Sequence, residues 1–178
     1  MTARARLVDE VRAAGTQDAV AEVVERWLRD PQLSEALGAF DASEPLHRDD
    51  DLTIVKVVVL PHYAFYPHEH RMWAVVATVR GQEENVFYER ADGGLERVGG
   101  RVFSEGDVGV LAEDVIHTVT NPLPVYTVGL HVYGGDLLAA GASEWDPQTY
   151  AERPYTFEAE DARKAAWRAT LDAEGGGA

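Results

Sequence analysis

The chain changes its hydrophobic rhythm once, near Leu52. Before that point apolar residues recur at helical spacing. Leu7, Val8 and Val11 share one face, and Val20, Val23, Val24, Trp27 and Leu28 share another. Thr16 fits the N-cap of the second helix. Asp30-Pro31 reads as an N-cap followed by proline at the first helical position, opening a short third helix through Leu33, Leu37 and Phe40. Such helices are expected to pack on the body of the protein or on a partner subunit. From Leu52 onward short β-branched and alternating segments take over: LTIVKVVVL, MWAVVATV, ENVFYER, LERVGGRVF, DVGVLA, IHTVT and VYTVGLHVY. Gly81, Asp92-Gly93-Gly94, Gly99-Gly100, Gly106 and Asn121-Pro122 punctuate them. Many short strands with frequent turns predict an all-β sandwich or barrel over residues 52–134, for which a jelly roll is one solution. Beyond it the pattern predicts a helical turn at 136–140, an ordered loop in SEWDPQTYAERPY carrying Trp145, Tyr150 and Tyr155, and a closing helix over 158–173 with Trp167 and Leu171 on one side. The final GGGA is expected to fray.

A length of 178 residues suits one domain with a substantial core, and 46% hydrophobic with 26% charged residues is an ordinary globular composition. The net charge of −15 comes with no basic stripe, which argues against nucleic-acid binding. There is no cysteine, so disulfides, thiolate metal ligands and a cysteine nucleophile are excluded. The N-terminal MTARARLVDEVRAAG lacks the apolar run of a secretory signal, and the longest apolar runs are strand-length. The expectation is a soluble cytoplasmic protein that acts on neither nucleic acid nor membrane.

The chemistry lies in the histidines. His68 and His70 form an H-x-H pair in PHEHRMW, and residues two apart on a strand point the same way. His117 follows in DVIHTVTN, so a facing strand can bring a third imidazole to the same ion. Neutral imidazole suits Fe, Zn, Cu and Ni. His47 and His62 read as surface or loop residues, and Asp107 and Asp114 fit turns.

Two stretches resemble the paired motifs of the cupin superfamily. In the first, His68, His70 and Gly81 fall in place, while His62 replaces the usual glycine and Ala74 the usual glutamate ligand. In the second, Gly106, His117 and Asn121 match, with Ala112 and Asp114 in place of proline and glycine. The resemblance implies a mainly β chain built on a cupin double-stranded β-helix (jelly-roll) barrel. Residues 1–45 would be an N-terminal helical segment, 46–147 the barrel and 148–178 a C-terminal extension of a single domain. It also implies metal ligation by His68, His70 and His117. With alanine at 74, that site is three neutral histidines and no protein anion.

Three-histidine cupins of this kind resemble the thiol dioxygenases, the cysteine dioxygenase family and its bacterial relatives. Their Ser-x-His-x-Tyr triad is matched in VGLHVYGG by His131 and Tyr133, with Gly129 in the serine place. By that resemblance Tyr133 would hydrogen-bond the substrate and His131 would orient Tyr133, though loss of the serine should loosen His131. The cofactor implied is Fe(2+), and the partners are a small-molecule substrate and O2, with the chain a monomer or homodimer. The implied reaction is oxidation of a small thiol to a sulfinate. Arg48 is the positional match for the arginine that holds a substrate carboxylate, Arg71 is a second candidate, and Trp73 is a candidate pocket residue. The alternatives are that Arg48 pairs with the aspartates at 49–51, Arg71 is solvated and Trp73 is core. Two other functions stay open: a three-histidine oxygenase acting on a non-thiol molecule, and a non-catalytic cupin that binds a small molecule or a structural metal.

Overall fold

The computed structural model describes residues 1–175; part of the GGGA end, residues 176–178, lies outside them. Three helices come first: α1 (Ala3–Ala14), α2 (Gln17–Leu28) and α3 (Leu33–Leu37). Eleven strands follow: β1 (Glu44–Arg48), β2 (Thr53–Val59), β3 (His68–Glu69), β4 (Ala74–Arg80), β5 (Gln82–Ala91), β6 (Gly94–Ser104), β7 (Val108–Leu111), β8 (Ile116–Thr120), β9 (Thr127–Tyr133), β10 (Ser143–Trp145) and β11 (Glu152–Pro154). A last helix, α4, spans Phe157–Gly175. The strands form two antiparallel sheets, ordered β1-β2-β9-β4-β7 and β11-β10-β3-β8-β5-β6. They face one another as a jelly roll with helices at both chain ends, the mainly β fold that the sequence predicts.

Period-2 alternation decides what each strand gives to which side. In β9 every residue is buried. Leu130 and Val132 sit on the face covered by the N-terminal helices, where Leu7, Val11, Val24, Trp27 and Leu37 complete one apolar core. The alternate residues Gly129, His131 and Tyr133 face the interior between the sheets. The register pairs them with Val57, Val55 and Thr53 of β2 and with Thr78, Val76 and Ala74 of β4. The helices therefore seal the outside of the first sheet, and the chemistry lies on its inside. Gln17 ties α2 to that sheet by donating to the carbonyls of Ala74 (3.1 Å) and Leu111 (2.7 Å). Helix α4 closes another side, with Trp167 and Leu171 against Val59, Leu60 and Tyr63.

All seven strands predicted between residues 52 and 134 form, and Thr16 caps α2 by accepting from the Ala19 N–H. The short third helix differs. It begins at Leu33 because Asp30 accepts the Gln32 N–H at 2.8 Å and so closes a turn around Pro31. It ends before Phe40 because Gly38 takes φ 71°. The segment read as an ordered loop contains the hairpin β10–β11, which docks on β3 through Glu144 opposite His68. Strands of two or three residues carry too few positions to show alternation, which is why β3, β10 and β11 escape the pattern.

Asn121 pins the crossover between β8 and β9. Fully buried, it donates from its amide to the carbonyls of Val59, Leu60 and Val125 and accepts from the Leu123 N–H at 3.0 Å. Its replacement by alanine orphans these groups, and we expect Asn121→Ala to lower stability by about 2–4 kcal/mol in urea unfolding.

Candidate metal centre

β3 and β8 lie side by side with His68 directly opposite His117. His70 follows one residue after β3. The three rings converge, with centroids 5.1 Å apart for His68–His70, 4.7 Å for His68–His117 and 5.1 Å for His70–His117. Each offers a nitrogen to one point, and the three atoms lie within 4.8 Å of one another, all on buried side chains. Arg71, with φ 58°, turns the chain immediately after the H-x-H pair.

Hydrogen bonds fix which nitrogen is free. His68 Nδ1 faces the Tyr66 carbonyl at 2.8 Å. A carbonyl only accepts, so Nδ1 carries the hydrogen and Nε2 keeps its lone pair. His117 Nδ1 likewise donates to Asn85 Oδ1 at 2.7 Å, leaving Nε2 buried and without a hydrogen-bond partner. Both rings are therefore set as neutral ligands with their basic nitrogens directed inward. Burial holds all three imidazoles below their usual pKa, most strongly His70 and His117, where the neighbouring imidazoles add to the effect. A donor set of three neutral nitrogens with an orphaned ring nitrogen fits a borderline divalent ion such as Fe2+ or Zn2+.

The opposite sheet supplies the other side of the cavity. Tyr133 meets His70 edge to face at 4.9 Å between centroids, and its hydroxyl lies 3.1 Å from His131 Nδ1. Burial, then the charge of Glu83, pushes the Tyr133 hydroxyl well above the ordinary phenol value, so it stays protonated. The cavity measures about 340 Å³. It runs from the histidines past Val55, Val57, Phe65, Val119 and Tyr155 to a mouth where Arg48 and Lys164 stand.

The structure brings five of the sequence candidates together, His68, His70, His117, His131 and Tyr133, with Arg48 at the rim. Arg48 is not paired with the neighbouring aspartates: its guanidinium holds Asp136 with two bonds of 2.8 Å. Arg71 and Trp73 are not among the residues lining the cavity. The Arg71 side chain is instead held by Glu69, to which it donates at 2.7 Å. Trp73 packs with the helix-side core, and its ring covers Gly134 so closely that a Cβ there would fall 2.0 Å from it. Two buried residues of β5, Glu83 and Asn85, face the site unannounced. The stretch QEEN is polar throughout, so no alternation marks the two that turn inward.

No family model matches the chain, and no curated protein does. Among solved structures, an oxalate oxidase gives a TM-score of 0.46 at 16% identity, covering 65% of this chain and 62% of that one. The present chain thus spans less than two thirds of that protein's length. An RmlC-like cupin family protein with a double-stranded β-helix fold from Methanocaldococcus jannaschii gives 0.47 at 13% identity, over 56% of this chain and 88% of that one. An oxalate decarboxylase from Bacillus subtilis gives 0.44 at 14%, over 53% and 24%. With so few residues shared, the chemistry of the site is argued from its own side chains. Among the described residues no helix is long and apolar enough to cross a membrane.

Two measurements follow from this geometry. Asn85→Ala frees His117 to rotate, and metal affinity should fall about 10–100-fold in a competition titration while circular dichroism stays unchanged. The metal-free protein should lose stability as pH falls below about 6.5, the ordinary imidazole value. There the unfolded chain takes up protons that the folded, depressed imidazoles refuse. Urea midpoints at about pH 7.5 and about pH 5.5 check the sign.

Proposed function

We propose that this chain is a non-haem Fe(2+)-dependent dioxygenase that oxidises a thiol to a sulfinate with O2. The observation that carries this reading is the ligand set. Three buried imidazoles converge, two of them with tautomers fixed by Tyr66 and Asn85, and among the described residues no carboxylate joins them. Ala74, where a glutamate ligand would stand in a related cupin, is buried in the apolar interior with Val76 and Phe103. A divalent ion on three neutral ligands keeps its full charge, which favours an anionic substrate group such as a thiolate.

When bound, the iron supplies the redox chemistry and lowers the pKa of the substrate thiol. The protein's own groups do the rest. The walls of valine and aromatic side chains exclude water. Tyr133 presents a protonated hydroxyl beside His70 and the cavity, held from behind by His131. Tyr155 stacks on His68 at 5.8 Å and keeps that ring in place. In balance, R–SH and O2 give R–SO2H: both oxygen atoms join sulfur, and the electrons sulfur loses are those O2 gains. A substrate carboxylate would reach Arg48 by displacing Asp136.

A second reading shares the metal and changes the substrate. A cavity of about 340 Å³ with mostly apolar walls is roomy for a small amino-acid thiol and would admit a larger, non-thiol molecule.

Anaerobic loading with Fe2+, followed by O2 uptake with cysteine, 3-mercaptopropionate and cysteamine, separates the two. We expect uptake with at least one thiol and a sulfinate product. Uptake with bulkier phenols or apolar acids alone would transfer the case to the second reading. Tightly held zinc with no uptake on any substrate would end both.

A further inference from the structure

Among the buried polar atoms that lack partners, two come from opposite sheets and lie close together. Glu83, at the start of β5, is 1% exposed, and His131 on β9 is 5% exposed. Glu83 Oε1 and His131 Nε2 have no hydrogen-bond partner, and they lie 3.6 Å from each other. That separation is longer than a hydrogen bond, and a small side-chain rotation closes it. The room between them exists because residue 129 is glycine: a Cβ there would stand 2.8 Å from His131 Nε2 and 3.0 Å from Glu83 Oε1.

We propose that Glu83 is the positioning residue that sets the tautomer of His131, and through it the hydrogen-bonding sense of Tyr133. A carboxylate only accepts, so the imidazole nitrogen facing it must carry the hydrogen. A neutral imidazole has one such hydrogen. His131 Nδ1 is then an acceptor, and the Tyr133 hydroxyl, 3.1 Å away, donates to it. The phenol's proton points away from the cavity and its oxygen lone pairs point into it. Tyr133 thus receives a hydrogen bond from the substrate and offers none. A thiolate held by the metal has no proton to give, so the donor that Tyr133 accepts from must be another group of the substrate. A serine at position 129 could either donate or accept and would leave the tautomer open. A carboxylate with glycine at 129 closes it.

The substrate preference rests on the reading of this cavity as the reaction site, whereas the tautomer does not. The deciding measurement is therefore made on the metal-free protein. Two-bond 15N–1H correlation spectra of histidine-labelled protein, with His131 assigned by the His131→Asn variant, report which ring nitrogen is protonated. We expect His131 to be a single Nε2–H tautomer in the parent and a mixture in Glu83→Gln, whose amide can also donate. Gly129→Ala keeps the carboxylate but wedges the pair apart, and it should give the same mixture if Glu83→Gln does not fold. On iron-loaded protein with the best thiol, Glu83→Gln should lower kcat about 10–100-fold with KM and iron content little changed, since Glu83 touches none of the three candidate ligands. An Nδ1–H tautomer in the parent, or a single Nε2–H tautomer that survives both variants, would overturn the proposal. Thiol-independent failure of O2 uptake, with the tautomer shift intact, would sink the reaction and leave the role of Glu83 standing.

Discussion

Three imidazoles cannot share a dry interior as cations. Two protonated rings whose centres are about 5 Å apart would repel strongly in a low dielectric, and burial alone already penalises each charge. They must be neutral, and a neutral imidazole has one donor and one acceptor to place. The structure supplies the acceptors from outside the cluster, the Tyr66 carbonyl for His68 and the Asn85 side chain for His117. The lone pairs are left for the centre. The rest of the fold is arranged around this requirement.

The same economy of donors and acceptors extends to the facing sheet. β9 carries apolar residues to the helices on one side and Gly129, His131 and Tyr133 to the cavity on the other. Without α1 to α3 the outer face of that sheet would be exposed valine and leucine. With them, the strand is rigid on both faces and can hold His131 and Tyr133 in register with the histidines opposite. β5 reaches across from the other sheet with two polar residues at i and i+2. Asn85 serves a candidate ligand, and Glu83 serves the histidine behind Tyr133.

The chain that follows β9 helps to form the cavity. β10 pairs with β3 beside His68, Tyr155 stacks on that ring, and α4 brings Lys164 to the mouth. Behind them Glu144 and Glu160, both buried, are held by Arg163 and bonded in turn to Arg153 and Tyr63. Two buried carboxylates are tolerable here because each has charged donors. That network fixes α4 against the barrel and so shapes the entrance.

The sequence by itself determined the helices, the seven longer strands and the pairing of His68, His70 and His117 as one group, because period and motif spacing are local properties. It also placed His131 and Tyr133 on one face of a strand. Only the tertiary structure decided that Arg48 holds Asp136, that Arg71 and Trp73 turn away from the cavity, and that Glu83 and Asn85 turn into it. The physical reason is the same in each case. A side chain's partner across a sheet or from a distant loop leaves no periodic trace in the chain, and a polar residue within a polar run carries no mark of the side on which it will be buried.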